Sequence, residues 1–259
     1  MKVAVVVGGA SGIGWATCRL LHERGATVVV ADVNEQAASE RAAELGDRVR
    51  ALHVDVTEEA SVEALFSSVV DREGAPDTVV GCAGLSALGL ITDLGLDEWK
   101  STLDVCLTGA FLVLKHAGRV LRDGGSVTTI ASLNGRQPAS GMAAYCSAKA
   151  GVLMLTEVAA LELGSRGIRV NAVSPGLVDT PLTAGVALVP GLREDYLENM
   201  PLGRAGEPEE IAEMVAFIAS DAASWMTGAT VDLNGGAHTR RYPDMPAHLA
   251  AMAPGPRSR

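Results

Sequence analysis

The stretch "VAVVVGGASGIG" at residues 3–14 opens as an apolar run, breaks into four glycines and closes on the start of an amphipathic pattern. A continuous run of valine and alanine suits a strand covered on both faces, where alternation is not required. Glycines directly after it permit a tight turn and close backbone approach. The helix that follows turns its N-terminal N–H groups and the positive end of its dipole toward that turn. Strand, glycine loop and helix in this order predict a cradle for the pyrophosphate of a dinucleotide, at Gly8, Ser11, Gly12, Ile13 and Gly14. Glycines outside such a setting would predict only an ordinary turn.

The same beat runs along the chain. Strand-like runs recur as "TVVVA" from Thr27, "VRALHV" from Val49, "TVVGC" from Thr78, "SVTTI" from Ser126, "IRVNAV" from Ile168 and "ATVDL" from Ala229. Helical patterns fall between them, at 15–24, 34–45, 61–72 and 209–220. Alternation of this kind implies right-handed crossovers and one doubly wound α/β sheet of seven largely parallel strands. Those elements use nearly all the residues, so a single domain is expected over 1–237. Residues 182–201 break the beat with Gly185, Pro190 and Gly191 around short helical pieces. They predict a lid over a substrate pocket, with a plain surface insertion as the alternative. The tail, 238–259, is rich in Pro, Ala and Arg. Its final "APGPRSR" has little to bury, which leaves solvent or a neighbouring subunit as its surroundings.

Composition excludes several classes of function. The 259 residues are 48% hydrophobic and carry a formal net charge of −10, which argues against nucleic acid or an anionic membrane as a partner. The four cysteines, Cys18, Cys82, Cys106 and Cys146, lack the paired spacing of a zinc site, and no metal is expected. The N-terminal apolar run reaches glycine too soon for a membrane span and has no cleavage site after it. A cytoplasmic protein with reduced thiols is the expectation.

The ends of the predicted strands carry the candidate binding groups. Asp32 and Val33 close the second strand, where a carboxylate can accept from both adenosine ribose hydroxyls and would repel a 2′-phosphate. No arginine follows Asp32 at once, so NAD is expected rather than NADP. Asp55 and Val56 end the third strand, within reach of an adenine amino group. Cys82, Ala83 and Gly84 end the fourth, beside the adenosine. Further on, "TIASLNG" sets Ser132 at the end of a central strand. "GMAAYCSAK" at 141–149 then places Tyr145 and Lys149 one helical turn apart, in a chain with three tyrosines,. A tyrosine and a lysine at this spacing are by themselves more often a packed stem. With Ser132 nearby they form an acid–base set: two donors for a carbonyl, one with a transferable proton, and an ammonium that stabilises the phenolate.

Taken together, these motifs resemble the classical short-chain dehydrogenase/reductase family from about residue 2 to residue 236. The family's T-G-x-x-x-G-x-G appears as "GGASGIG", read with Gly8 at the threonine position. Its N-x-A-G appears as "GCAG", its active-site serine matches Ser132, and its Y-x-x-x-K matches Tyr145 and Lys149. Its N-x-x-x-P-G appears as "NAVSPG" at 171–176. The resemblance implies a Rossmann-type fold, a homotetramer, catalytic roles for Ser132, Tyr145 and Lys149, and nicotinamide contacts from Pro175, Gly176, Val178 and Thr180. It also implies that Tyr145 and Lys149 touch the cofactor. Cys106 departs from the pattern, standing where an asparagine is usual, and reads as a buried structural thiol. The expected activity is NAD-dependent interconversion of a lipophilic secondary alcohol, such as a hydroxysteroid or cyclic alcohol, with its ketone. A 3-oxoacyl-carrier-protein reductase and a catalytically weak nucleotide-binding or scaffold protein are the alternatives. The pocket is expected to be bordered by 85–87, 133–135, Met142 and 182–201, a largely apolar supply with no arginine cluster to grip a carboxylate or phosphate unless the loops fold Arg193 or Arg204 inward.

Overall fold

Two of the apolar runs become strands buried at every residue, β1 (Val3–Val7) and β5 (Ser126–Ile130). Between and beyond them lie β2 (Thr27–Asp32), β3 (Val49–His53), β4 (Thr78–Gly81), β6 (Arg169–Pro175) and β7 (Thr230–Leu233). In this computed structural model, which describes residues 2–252, the seven strands form one sheet in the order β3-β2-β1-β4-β5-β6-β7. Every neighbouring pair is parallel. The last residues of the tail, "APGPRSR", lie outside the described residues.

Alternate residues of each strand feed opposite layers. Val3, Val5 and Val7 join Phe66, Leu112 and Val113 on one side, contributed by α3 (Glu59–Glu73) and α5 (Gly109–Val120). Ala4 and Val6 join Cys18, Ile211 and Val215 on the other, contributed by α1 (Gly12–Glu23) and α8 (Pro208–Ile218). The remaining helices are α2 (Glu35–Leu45), α4 (Leu96–Leu103), α6 (Ala143–Leu163), α7 (Leu192–Glu198) and α9 (Met245–Met252). The helix bounds follow the sequence patterns to within a few residues. Asn34, for example, proves to be the N-cap of α2, accepting from Ala37 N at 3.0 Å,.

Residues 143–166 are apolar enough by length and composition to cross a membrane. One face of them packs on β6 and the turn after β5, while Met154, Val158 and Leu161 are exposed. Between α4 and α5 the helix widens into one π-turn at Asp104–Thr108, centred on Cys106.

Strand order reverses at β1, whose neighbours are β2 on one side and β4 on the other. In an open parallel sheet, the crevice at the carboxyl ends beside such a reversal is where ligands bind. A third apolar cluster lies above that edge and joins Leu133, Tyr196, Met200 and Met245 from separate parts of the chain.

Candidate active site

Gly8 has φ +78°, and a Cβ there would stand 2.7 Å from Ala83 N. Both facts demand glycine, and they correct the alignment made from sequence. Counted back from Gly12 and Gly14, Gly8 is the first glycine of the family motif, and Val7 holds the threonine position. Gly14 is equally constrained, since its Cβ would meet Gly8 O at 2.0 Å. The loop is thereby folded tightly onto the start of α1. Ser11, the residue before that helix, makes no side-chain cap, so the first N–H groups are left to an anion.

Asp32 holds the loop from the second strand. Its Oδ2 accepts from Ala10 N at 3.0 Å and its Oδ1 from Asn34 N at 3.0 Å. Arg41, which the sequence reading passed over, stacks over Trp15 with its guanidinium carbon 4.9 Å from the ring centre. It also pairs with Glu44 at 2.9 Å.

A cleft of about 160 Å³ runs from this loop along the strand ends. It is lined by Gly8, Ser11, Gly12, Ile13, Gly14, Cys82, Gly84, Tyr145, Lys149, Pro175, Gly176, Val178 and Thr180, and also by Ser132. Five expected binding residues lie outside that lining. Asp32 and Val33 stand at the end of β2, with Val33 exposed, while Val56 is buried in the core and Ala83 packs against it. Asp55 turns one oxygen to Thr57, accepting from its N at 2.9 Å and its hydroxyl at 2.7 Å. Those two bonds hold its carboxyl below the usual range. Burial pushes the Cys82 thiol up to about 12 and raises Cys18 well above its ordinary value, so neither presents a thiolate near neutral pH.

The reacting end of the cleft is built where β5 meets α6. Ser132 leaves the strand in extended backbone, and its Oγ accepts from Asn134 N at 3.2 Å. Gly135, expected at the pocket border, serves packing: its Cβ would lie 2.9 Å from Lys149 O, so only glycine lets this turn rest on α6. Lys149 is buried, donates to Ile130 O at 2.8 Å, and has its Nζ 5.6 Å from the Tyr145 ring centre. Cys106 is buried too, donating through its thiol to Leu85 O at 3.2 Å and accepting from Leu85 N at 3.4 Å. That pair of contacts fits the structural thiol read from the sequence.

A second cavity, of about 260 Å³, adjoins the cleft. Ser132, Tyr145, Pro175, Gly176, Leu182 and Thr183 line both, so the two spaces join along the wall that carries the Ser132 and Tyr145 hydroxyls. The cavity wall includes Ser86, Leu133, Asn134 and Met142, together with Leu182, Val186, Leu192 and Met200 from the inserted segment. Arg193 and Arg204 are not part of it. Arg193 makes a two-bond pair with Asp179, and Arg204 another with Glu210.

What the sequence reading missed is the wall from the C-terminal segment. Arg241, Tyr242, Pro243, Met245 and Leu249 all line the cavity. Tyr242 and Tyr196 share a hydroxyl–hydroxyl bond of 2.7 Å, with their rings edge to face at 5.4 Å. Burial first, then the neighbouring Tyr196, pushes the Tyr242 hydroxyl far up from its ordinary value. All three tyrosines of the chain thus face one cavity, a convergence visible in the sequence only as their scarcity. The segment is tied down by Asp195 of α7, which accepts from Arg241 at 2.5 Å and faces His248 Nε2 at 3.1 Å. Burial raises the Asp195 carboxyl, but the bonds from Arg241 and His248 outweigh that and hold it below its ordinary value.

The family model described as enoyl-(acyl carrier protein) reductase matches residues 8–238. The cis-4-hydroxycyclohexanecarboxylate dehydrogenase of Sinomonas cyclohexanicum is 42% identical, over 91% of this chain and 96% of its own. The chain belongs to the classical short-chain dehydrogenase/reductase family. The 3-oxoacyl-(acyl-carrier-protein) reductase of Vibrio cholerae is 37% identical over 91% of this chain and 96% of its own. A short-chain type dehydrogenase/reductase from Mycobacterium ulcerans superposes with a TM-score of 0.93 at 35% identity, covering 97% of this chain and 94% of that one. As a short-chain dehydrogenase/reductase, the protein is an oxidoreductase that acts on CH–OH groups with a dinucleotide cofactor. The loop of positive-φ glycines, the uncapped start of α1 and the cleft beyond it fit such a cofactor.

Asp195 yields a prediction about the C-terminal wall. A depressed carboxyl stabilises docking fully above its ordinary value of 3.8 and loses that contribution as pH falls through the depressed value. Asp195→Asn removes the charge at every pH. Hydrogen exchange of residues 241–252 at neutral pH should rise in this variant while β1 and β5 stay protected. Unchanged protection of 241–252 would contradict the tether.

Proposed function

We propose that the protein is an NAD(H)-dependent dehydrogenase that interconverts a compact, lipophilic secondary alcohol and its ketone. The observation that carries this reading is the meeting of cleft and cavity at Ser132 and Tyr145. The dinucleotide, when bound, takes up or supplies a hydride at the substrate carbon. In the direction of reduction, Ser132 donates a hydrogen bond to the carbonyl oxygen and stabilises the negative charge that develops there. Tyr145 gives its proton to that oxygen, and takes it back when the alcohol is oxidised. Lys149 stands beside the Tyr145 ring, its Nζ 5.6 Å from the ring centre, and binds the cofactor ribose. Gly8, Ser11, Gly12, Ile13 and Gly14 hold the pyrophosphate, and Pro175, Gly176, Val178 and Thr180 hold the nicotinamide end.

The choice of substrate follows from the wall. Leu133, Met142, Leu182, Val186, Met200 and Met245 give the cavity of about 260 Å³ a largely apolar wall, which suits a lipophilic alcohol,. A compact ring alcohol is favoured over a 3-oxoacyl thioester on a carrier protein. Asp32 and the net charge of −10 weigh the same way. Residues 182–201 act as the lid, within a single catalytic domain whose pocket also takes part of its wall from 241–249. The four free cysteines are in keeping with a cytoplasmic protein.

Two experiments test this reading. NADH should bind at least about tenfold more tightly than NADPH, a difference of about 1.4 kcal/mol, and should support reduction of cyclohexanone. Asp32→Ala should narrow the gap between the cofactors by weakening NADH. Equal dissociation constants in the unmodified protein would contradict the role of Asp32, and Arg41 would then be the residue to examine.

The second experiment concerns assembly. Phe111 on α5 and Met154, Val158 and Leu161 on α6 are exposed, with Leu161 at 84%. Such a face suits isologous pairing of two copies, and a homotetramer is the assembly proposed. Light scattering at micromolar concentration should report four chains, and Leu161→Glu should reduce that number. A monomer in the unmodified protein would rule the tetramer out.

A further inference from the structure

Asn134 stands two residues after Ser132, in the single helical turn Leu133–Gly135 that the serine caps. It is buried and lines the substrate cavity, and neither cofactor binding nor proton transfer calls on its side chain. Its backbone N–H fills one acceptor position on Ser132 Oγ, at 3.2 Å. Its side chain adds a second contact, since Oγ donates to Asn134 Oδ1 at 3.5 Å. The other end of the amide fixes which way it faces. Nδ2 donates to Gln137 O at 3.2 Å, and Gln137 is held in turn by its own N–H, which donates to Leu133 O at 2.9 Å. Turning the amide round would set Oδ1 against Gln137 O, two acceptors face to face. Asn134 also reaches the C-terminal wall: burial pushes the Tyr242 hydroxyl far up, and a hydrogen bond from Asn134 works against that shift.

A serine side chain has three staggered rotamers, and its hydroxyl proton turns to suit its surroundings. Two contacts from one anchored residue hold Ser132 Oγ in a single place. The contact to Oδ1 is long, and a hydrogen bond of that length is weak. It occupies the serine proton without outcompeting a substrate oxygen at ordinary hydrogen-bond distance. Building on the dehydrogenase reading, we infer that Asn134 is a positioning residue for Ser132: it holds Oγ in place and yields the serine proton to the carbonyl oxygen as the ketone enters. The proton stays on Oγ and only changes acceptor, so no covalent bond forms or breaks at this step. Asn134 acts through Ser132 and takes no part in hydride or proton transfer. The bond that Ser132 then makes strengthens as negative charge develops on the substrate oxygen. Loss of Asn134 therefore falls on the rate of the chemical step rather than on ketone binding.

The test measures single-turnover reduction of cyclohexanone by the NADH-loaded, full-length enzyme. Asn134→Leu is close in size and removes every polar atom of the side chain. Asn134→Ala is the second variant, and both keep the backbone N–H. Each should lower the rate roughly three- to tenfold, with the half-saturating ketone concentration changed by less than about twofold. Placed on Ser132→Ala, the same substitutions should cost less than about twofold, because the group they act through is gone. Equal losses in the two backgrounds would mark Asn134 as wall packing and overturn the inference, as would undiminished rates with Ser132 present. Either result leaves the dehydrogenase reading intact. A Ser132→Ala enzyme as fast as the unmodified one would overturn the inference together with the role given to Ser132. Failure of the unmodified enzyme to reduce cyclohexanone with NADH or NADPH would overturn both readings.

Discussion

Lys149 is a charged side chain with 4% of its surface exposed, and its hydrogen bond to Ile130 O is 2.8 Å long. Burying an ammonium costs several kcal/mol unless it is well partnered, and this bond fills one of its three donor positions. The bond ties α6 to the last residue of β5. Ser132 stands two residues beyond that strand end, and Tyr145 stands one turn before the lysine. The contact therefore sets where the two hydroxyls fall relative to each other. Gly135 completes the arrangement by letting the turn after Ser132 lie against the α6 backbone. The charge is felt beyond the pair: Lys149 opposes the burial that raises the Cys82 thiol.

The wall opposite is assembled differently. Tyr196 comes from α7, Met245 from the start of α9, and Leu133 from the turn after β5, yet they form one apolar cluster. Among the described residues, neither the insertion nor the C-terminal segment has a sheet partner to hold it. Asp195, Arg241 and His248 supply a polar tether, and the paired hydroxyls of Tyr196 and Tyr242 supply another. Such contacts can be exchanged between relatives without disturbing the sheet. A fold built this way keeps the reacting groups on rigid elements and leaves substrate choice to segments that can vary.

That division also explains what could be read in the sequence. β1 and β2 were legible because buried parallel strands are continuous apolar runs,. β3 and β7 are only partly buried and stood out by their place in the strand–helix beat. Ser132, Tyr145 and Lys149, singled out together in the sequence, line one cleft. The spacing to Gly12 and Gly14 makes Gly8 the first glycine of the motif, and its positive φ and close approach to Ala83 show why glycine is required there. Gln137, Arg241 and Tyr242 left no periodic trace. Their place on the cavity depends on how irregular segments fold back, and no local propensity encodes that. Arg193 and Arg204, the cations that loop geometry could have turned inward, are spent on Asp179 and Glu210, in line with the apolar pocket expected. Gly81 and Cys106, which replace asparagines usual in the family, line one small cavity of about 20 Å³ together with Lys149. They were visible as departures, but not as neighbours.

The central claim is that Tyr145 moves the proton while the elements around it only position it. Tyr145→Phe keeps the ring, its packing beside Lys149 and the whole cofactor cleft, and removes one hydroxyl. Single-turnover reduction of cyclohexanone by the NADH-loaded variant tests the claim most directly. The account predicts a rate lower by roughly 10²–10⁴-fold, with the NADH dissociation constant changed by less than about threefold. A variant that turns over at a rate near that of the unmodified enzyme would contradict it.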